Sequence, residues 1–230
     1  MIFKKLNNFS IKNRSSVRNW KTKMTGTPCF IVGNSPSLND HLIYKLEQFF
    51  TIGINRAFKK IDTTILLWQD IELYYQERKE LTKLKSILFS KDTADPPGLA
   101  YHFRLITGNF KLTDNPSILF GSGSSGPLAF QLAYILGCDP IILIGYDCQY
   151  KNNMTDFYGN NKDHKPHTLK NCSRGLEWIK DLKIHDRKII SCSKSECFTN
   201  IMSIEEAIKY CSIKDSGKGR EFYKNKLFST

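Results

Sequence analysis

At 230 residues, with 40% apolar content that includes 15 Phe and 10 Tyr, the chain is long enough for one domain with a sizeable core. No stretch approaches the roughly 18 apolar residues of a membrane span, and the polar, basic opening has no apolar signal core, which argues against insertion and secretion. Seven scattered cysteines (Cys29, Cys138, Cys148, Cys172, Cys192, Cys197 and Cys211) form no CxxC pair and no ligand spacing with the five histidines, as in a cytoplasmic protein with reduced thiols.

The formal net charge of +12 is concentrated at the ends. Residues 1–25 hold seven bases (Lys4, Lys5, Lys12, Arg14, Arg18, Lys21, Lys23) and no acid, and residues 209–230 hold six bases against Asp215 and Glu221. The expected organisation is a basic N-terminal arm over 1–25, an α/β body over 26–213 and a basic C-terminal tail over 214–230. Clustered charge of this kind suits DNA, RNA or an acidic membrane leaflet, and equally suits two solvated tails. In the first arm Ile2, Phe3, Leu6, Phe9, Val17 and Trp20 recur loosely at helical spacing, as in a helix lying on a surface.

From residue 28 onward strand-like and helical runs alternate. Strands are expected at Phe30–Val32, Phe50–Ile54, Ile65–Trp68, Ser86–Ser90, Ser117–Phe120, Ile141–Ile144 and Lys188–Ser191. Amphipathic or apolar helices are expected at His41–Phe49, Ile71–Leu84, Pro127–Leu136, Leu169–Leu182 and Ile204–Cys211. This alternation implies a mostly parallel sheet with helices on both faces, and ligands in such sheets bind beyond the strand C-terminal ends. Two stretches break the pattern: Lys91–Asn115, and the polar Gln149–Thr168, which reads as a short lid over about 148–168.

The polar clusters fall at the strand ends. Gly33-Asn34-Ser35-Pro36-Ser37-Leu38 follows the first strand, and Gly121-Ser122-Gly123-Ser124-Ser125-Gly126-Pro127 precedes an apolar helix. Both turns offer backbone N–H groups and small hydroxyls at a helix N-terminus, where phosphate binds, although such residues also serve as plain caps. Neither is a P-loop, since no Lys-Ser or Lys-Thr follows the glycines. Two such turns in one sheet point to a nucleotide.

Asn55 and Arg56 close the second strand, where Asn55 can read a base edge or ribose and Arg56 faces a phosphate or solvent. Asp147, in Gly145-Tyr146-Asp147, either bonds a ribose or sugar hydroxyl, binds a metal, or closes a turn. His164 and His167 precede the fourth expected helix, and an imidazole near its ordinary pKa can take a proton from a hydroxyl at neutral pH. Zinc would need two further ligands, which the sequence does not place, so no metal site is expected.

Together these residues resemble the bacterial sialyltransferases of glycosyltransferase family 42. The resemblance spans roughly residues 28 to 200. It rests on Gly33 to Leu38, on Asn55-Arg56-Ala57-Phe58, on the ungapped block from Ser125-Gly126 to Gly145-Tyr146-Asp147, and on His167 ten residues before Glu177 in Leu176-Glu177-Trp178. The resemblance implies a single Rossmann-like, GT-A-variant domain and a metal-independent, inverting transfer from a nucleotide sugar. It makes the nucleotide sugar the donor substrate and requires no further cofactor. It also implies that Gly33, Asn34, Ser35, Ser37, Asn55, Ser124, Ser125, Gly126 and Asp147 hold the donor. His167 becomes the general base, and Tyr150 or Tyr158 assists the departing phosphate. The segment from Asp147 to His167 is shorter than the family's lid, and Trp68-Gln69-Asp70 stands where the family has Asn-Pro.

The leading expectation is therefore a glycosyltransferase acting on a glycan or on a hydroxymethylated DNA base, the latter suiting the basic ends. A second places the chain near the archaeal pterin pyrophosphokinase-like proteins, which share a related glycine turn and need Mg²⁺ and ATP. The third is a non-catalytic module on nucleic acid or at a membrane.

Overall fold

The computed structural model describes residues 17–38, 43–96, 98–121, 123–150, 153–159, 168–193, 195, 197–198, 201–215 and 217–229. Eight strands form one sheet: β1 (Cys29–Val32), β2 (Phe50–Ile54), β3 (Ile65–Trp68), β4 (Ile87–Lys91), β5 (Tyr101–Thr107), β6 (Ile118–Gly121), β7 (Ile141–Ile144) and β8 (Ile189–Ser191). Their order is β6-β5-β4-β3-β2-β1-β7-β8, and every pairing is parallel. The fold is thus α/β and Rossmann-like. The chain builds outward from β1 to β6 and then returns to the other side of β1, where Val32 lies between Gly53 and Ile144. That reversal opens a crevice between the β1 and β7 ends, the usual ligand position in open parallel sheets.

Strands covered on both faces need apolar residues at every position. β1, β3 and β7 meet this demand, and β2, also buried throughout, departs from it at Thr51, whose hydroxyl accepts from the Thr64 N–H at 2.8 Å. Alternate side chains then feed two cores. Cys29 and Ile31 join Trp20, Phe50, Phe89, Phe130 and Leu176 on one face, while Phe30 and Val32 join Leu46, Phe49, Ile144 and Ala207 on the other.

Among the described residues five α-helices complete the fold: α1 (Ile71–Leu81), α2 (Gly126–Leu136), α3 (Thr168–Asp181), α4 (Ile204–Lys214) and α5 (Arg220–Phe228). α2 is apolar on all sides and all but Tyr134 of its residues are buried, as a helix must be when it lies between a sheet and a second helix. Pro127 sets its first turn, and Gly137 ends it at φ +89°, returning its N–H to the carbonyls of Ala133 and Tyr134.

Three segments differ from the sequence expectation. β5 lies inside the stretch Lys91–Asn115 expected to break the alternation. The helix expected at His41–Phe49 is, over its described part, a 3-10 helix at Ile43–Gln48. The segment 214–230, expected as a basic tail, contains α5, which buries Tyr223 and Leu227 in the larger core. The N-terminal arm likewise sends Val17, Trp20 and Met24 into that core, and Trp20 and Phe228 meet with ring centroids 5.8 Å apart. Burying these apolar groups favours docking of both segments, and the lysines beside them bond to main-chain carbonyls, Lys23 to Ser229 O and Lys224 to Lys85 O. Among the described residues no helix is long and apolar enough to cross a membrane.

Candidate active site

The first turn is built by close contact of two main chains. The Gly33 N–H donates to Ile144 O (2.7 Å) and the Ser35 N–H to Gly145 O (3.1 Å). A Cβ on Gly33 would lie 2.1 Å from the Gly145 carbonyl oxygen, so only glycine fits. Asn34 then turns into the crevice, where its Nδ2 donates to Ile54 O at 3.0 Å. That bond fixes the amide, and Asn34 Oδ1 is left buried with no hydrogen-bond partner. An orphaned buried acceptor is costly and calls for a donor from a ligand.

Asp147 braces this turn. Its carboxylate accepts from the Ser37 N–H (3.0 Å) and the Ser37 hydroxyl, and its own N–H donates to Ser35 Oγ at 3.0 Å. Of the roles the sequence left open, the structure shows the turn-closing one. Asp147 faces a smaller cavity of about 340 Å³, not the main pocket.

The main pocket measures about 580 Å³, within the range of small-molecule sites. Asn34, Ser35, Asn55, Ser124, Ser125 and Gly126 converge on its walls, so most of the expected binding residues come together. At its far side stands the N-terminus of α2. The first N–H groups of a helix have no partner within it, and a side chain at the preceding position usually caps one. Ser125 does not: its hydroxyl donates instead to Asn55 Oδ1 at 3.2 Å, and no side-chain cap bond is made. Asn55 reaches it from a left-handed backbone at φ +49°. The Tyr146 ring packs under the same helix end, where a Cβ on Gly126 would lie 2.7 Å from Cε1. Burial pushes the Tyr146 phenol well above its ordinary pKa, so it stands there neutral.

Arg56 lines the pocket but is not a free cation. It is buried, donates through Nε to Glu77 Oε1 at 2.6 Å and through a terminal nitrogen to Gln76, while Lys59 lies 2.8 Å from the same Glu77 oxygen. Burial alone would raise the Glu77 carboxyl, but the hydrogen bonds from Lys59 and Arg56 overcome it and hold the group at about 2. Tyr158 packs beside this pair, its ring centroid 5.3 Å from the Arg56 guanidinium carbon. Tyr150 is 65% exposed and does not line the pocket. His164 and His167 lie outside the described residues.

Several pocket residues were not singled out in the sequence as binding groups. Gln69 and Asp70 come from the β3 end, Thr155 and Asp156 from the segment after β7, and Asn171, Cys172 and Leu176 from α3. The segment 153–159 docks on the first turn through the Phe157 N–H to Asn34 O bond of 2.7 Å. Among the described residues no three His, Cys, Asp or Glu side chains converge as a self-sufficient metal site.

The profile of the family described as 6-hydroxymethylpterin diphosphokinase MptE-like matches residues 4–153. This stretch carries β1 to β7 and both glycine turns. No curated protein and no solved structure matches the chain.

Proposed function

The chain belongs to the 6-hydroxymethylpterin diphosphokinase MptE-like family, and from that premise we propose that it is a nucleotide-dependent transferase that moves the terminal diphosphate of ATP onto a hydroxymethyl group of a heteroaromatic alcohol. The observation that carries this reading is the uncapped α2 N-terminus at the pocket, with the Ser125 hydroxyl turned away to Asn55. Its N–H groups and dipole suit a phosphate chain. The orphaned Asn34 Oδ1 across the pocket cannot accept from a phosphate oxygen, so it takes a hydroxyl or amino donor of the ligand.

In the reaction the alcohol oxygen attacks the β-phosphorus, the bond from that phosphorus to the oxygen bridging the α-phosphate breaks, and AMP leaves as the alcohol proton passes to solvent. The chain's part is alignment and neutralisation of charge, which dominate phosphoryl transfer. Mg²⁺, which commonly takes one or two carboxylates together with substrate phosphates, would find Asp70 and Glu72 in the wall and would offset phosphate charge.

Asn34 Oδ1 equally suits a sugar hydroxyl, and that observation keeps a second reading: metal-independent transfer from a nucleotide sugar, to a glycan or a hydroxymethylated DNA base, with His167 as base. One set of melting curves separates them. Mg-ATP should raise Tm by several degrees, EDTA should abolish the shift, and incubation with a hydroxymethylpterin should release AMP and not ADP. A shift with CMP-, UDP- or GDP-sugars that survives EDTA would overturn the diphosphokinase reading in favour of the second.

A further inference from the structure

We propose that Gln69 is the specificity residue for the acceptor alcohol, its carboxamide pairing in plane with a lactam edge of the heteroaromatic ring, an N–H beside a C=O. The inference rests on the diphosphokinase reading for the identity of the ligand and on an unpartnered amide for the edge.

Gln69 is 6% exposed and lines the main pocket, yet its side chain has no hydrogen-bond partner among the described residues. Its neighbours in the chain hold it there. Trp68 is fully buried and its indole N–H donates to Ala94 O at 3.2 Å, while Asp70 is the N-cap of α1 and its carbonyl accepts from the Leu73 N–H at 3.2 Å. Nearby polar side chains of the wall are engaged, Asn55 with Ser125 and Arg56 with Glu77. A buried amide without a partner costs stability, and a ligand that completes its bonds recovers that cost. A carboxamide offers donor and acceptor side by side. A lactam answers both, whereas a phosphate oxygen answers the donor alone.

Strand order decides which ligand lies there. β2 stands between β3 and β1, so the β3 end that carries Gln69 and the β1 end that carries Asn34 flank the β2 end, two strand spacings or about 10 Å apart. The Ser125 bond to Asn55 sets the α2 N-terminus at the β2 end, which puts the phosphate chain between the two amides. The reversal of strand order at β1 and β7, where nucleotides usually lie, is on the Asn34 side, and Asn34 Oδ1 suits a ribose hydroxyl. The alcohol then takes the Gln69 side, its ring edge on the amide and its hydroxymethyl oxygen towards the phosphates.

The test titrates 6-hydroxymethylpterin, and separately Mg-ATP, into the full-length chain and into Gln69→Leu and Gln69→Glu, and records the ligand-free Tm of each. Leucine removes both hydrogen-bonding groups, and glutamate keeps the shape but, ionised at neutral pH, has no donor. Both variants should raise the Kd for hydroxymethylpterin at least about tenfold, as when a polar site loses a ligand bond, while the Kd for Mg-ATP stays within about twofold. Gln69→Leu should melt no lower than the parent, because the amide it removes bonds to nothing in the ligand-free chain, whereas a structural role would lower its Tm. The same hydroxymethylpterin Kd in parent and variants, an Mg-ATP Kd that rises as much as the pterin's, or a lowered Tm of Gln69→Leu would overturn the proposal. If the pterin binds through Gln69 but no AMP is released, the diphosphokinase reading fails and the assignment of Gln69 stands; if AMP is released and the variants bind the pterin as the parent does, the reverse holds.

Discussion

Asn34 shows how one buried amide divides its labour between fold and ligand. Its Nδ2 holds the β2 end while its Oδ1 waits for a donor. Asn34→Asp exchanges the donor for a carboxylate oxygen that must face the Ile54 carbonyl, so urea denaturation should show a loss of about 2 kcal/mol, in the range for a buried polar group left unsatisfied. Glu77 has the opposite character, a charge kept ionised by two cations. Because its folded pKa is depressed to about 2 from an ordinary 4.5, the stability it contributes is present above about pH 4.5 and is lost as pH falls towards 2. Glu77→Gln should remove that acid-side slope from the stability profile. It should also cost roughly 3 kcal/mol at pH 7, because Arg56 is then buried without its counter-charge.

At the scale of elements, the packing of α3 on α2 decides whether the pocket has a wall. Gly175 is the point of contact: a Cβ there would lie 2.4 Å from Pro127 Cγ, and a proline ring cannot swing aside. Gly175→Ala gains about 1 kcal/mol of helix propensity but loses more to overpacking, which costs about 1–3 kcal/mol. Tm should therefore fall, where an exposed helical Gly→Ala would raise it. The same elements show which parts of the fold a sequence can reveal. β1, β2, β3 and β7 are legible because a parallel sheet buries both faces and forces near-continuous apolar runs. β5 is hidden because Tyr101–Thr107 carries His102 and Arg104 and is flanked by Pro, Gly and Asp, although its aromatic and β-branched residues are the available signal. The two turns are legible because their Gly and Ser residues are adjacent in the chain. Gln69, Asp70, Asn171 and Cys172 are not, since only folding brings the β3 end and α3 to one cavity.

At the scale of the molecule, the larger core is closed by Val17, Trp20 and Met24 from the N-terminal arm and by α5 from the C-terminal segment, so residues that read as parts of charged arms in the sequence serve as packing in the structure. α5 presents Tyr223 and Leu227, four residues apart and therefore on one helix face, to the sheet, and Phe50 meets the Tyr223 ring at 5.8 Å. The Tyr223 hydroxyl donates to Asp215 at 2.6 Å, the Gly219 N–H donates to Gln48 O at 2.8 Å, and Lys224 reaches Lys85 O at 2.8 Å. A dispensable tail would make none of these contacts. Removing residues 216–230 uncovers Phe50, Trp20 and their neighbours at once, whereas Lys218→Ala with Lys226→Ala removes two charges and leaves the buried face in place. The truncated chain should lose its cooperative melting transition by circular dichroism, and Tyr223→Ala alone should cost about 3 kcal/mol or more, while the double lysine variant should melt within a few degrees of the parent. If the truncation melted like the parent, the C-terminal segment would be a tail after all, and its lysines would be free to serve an anionic partner.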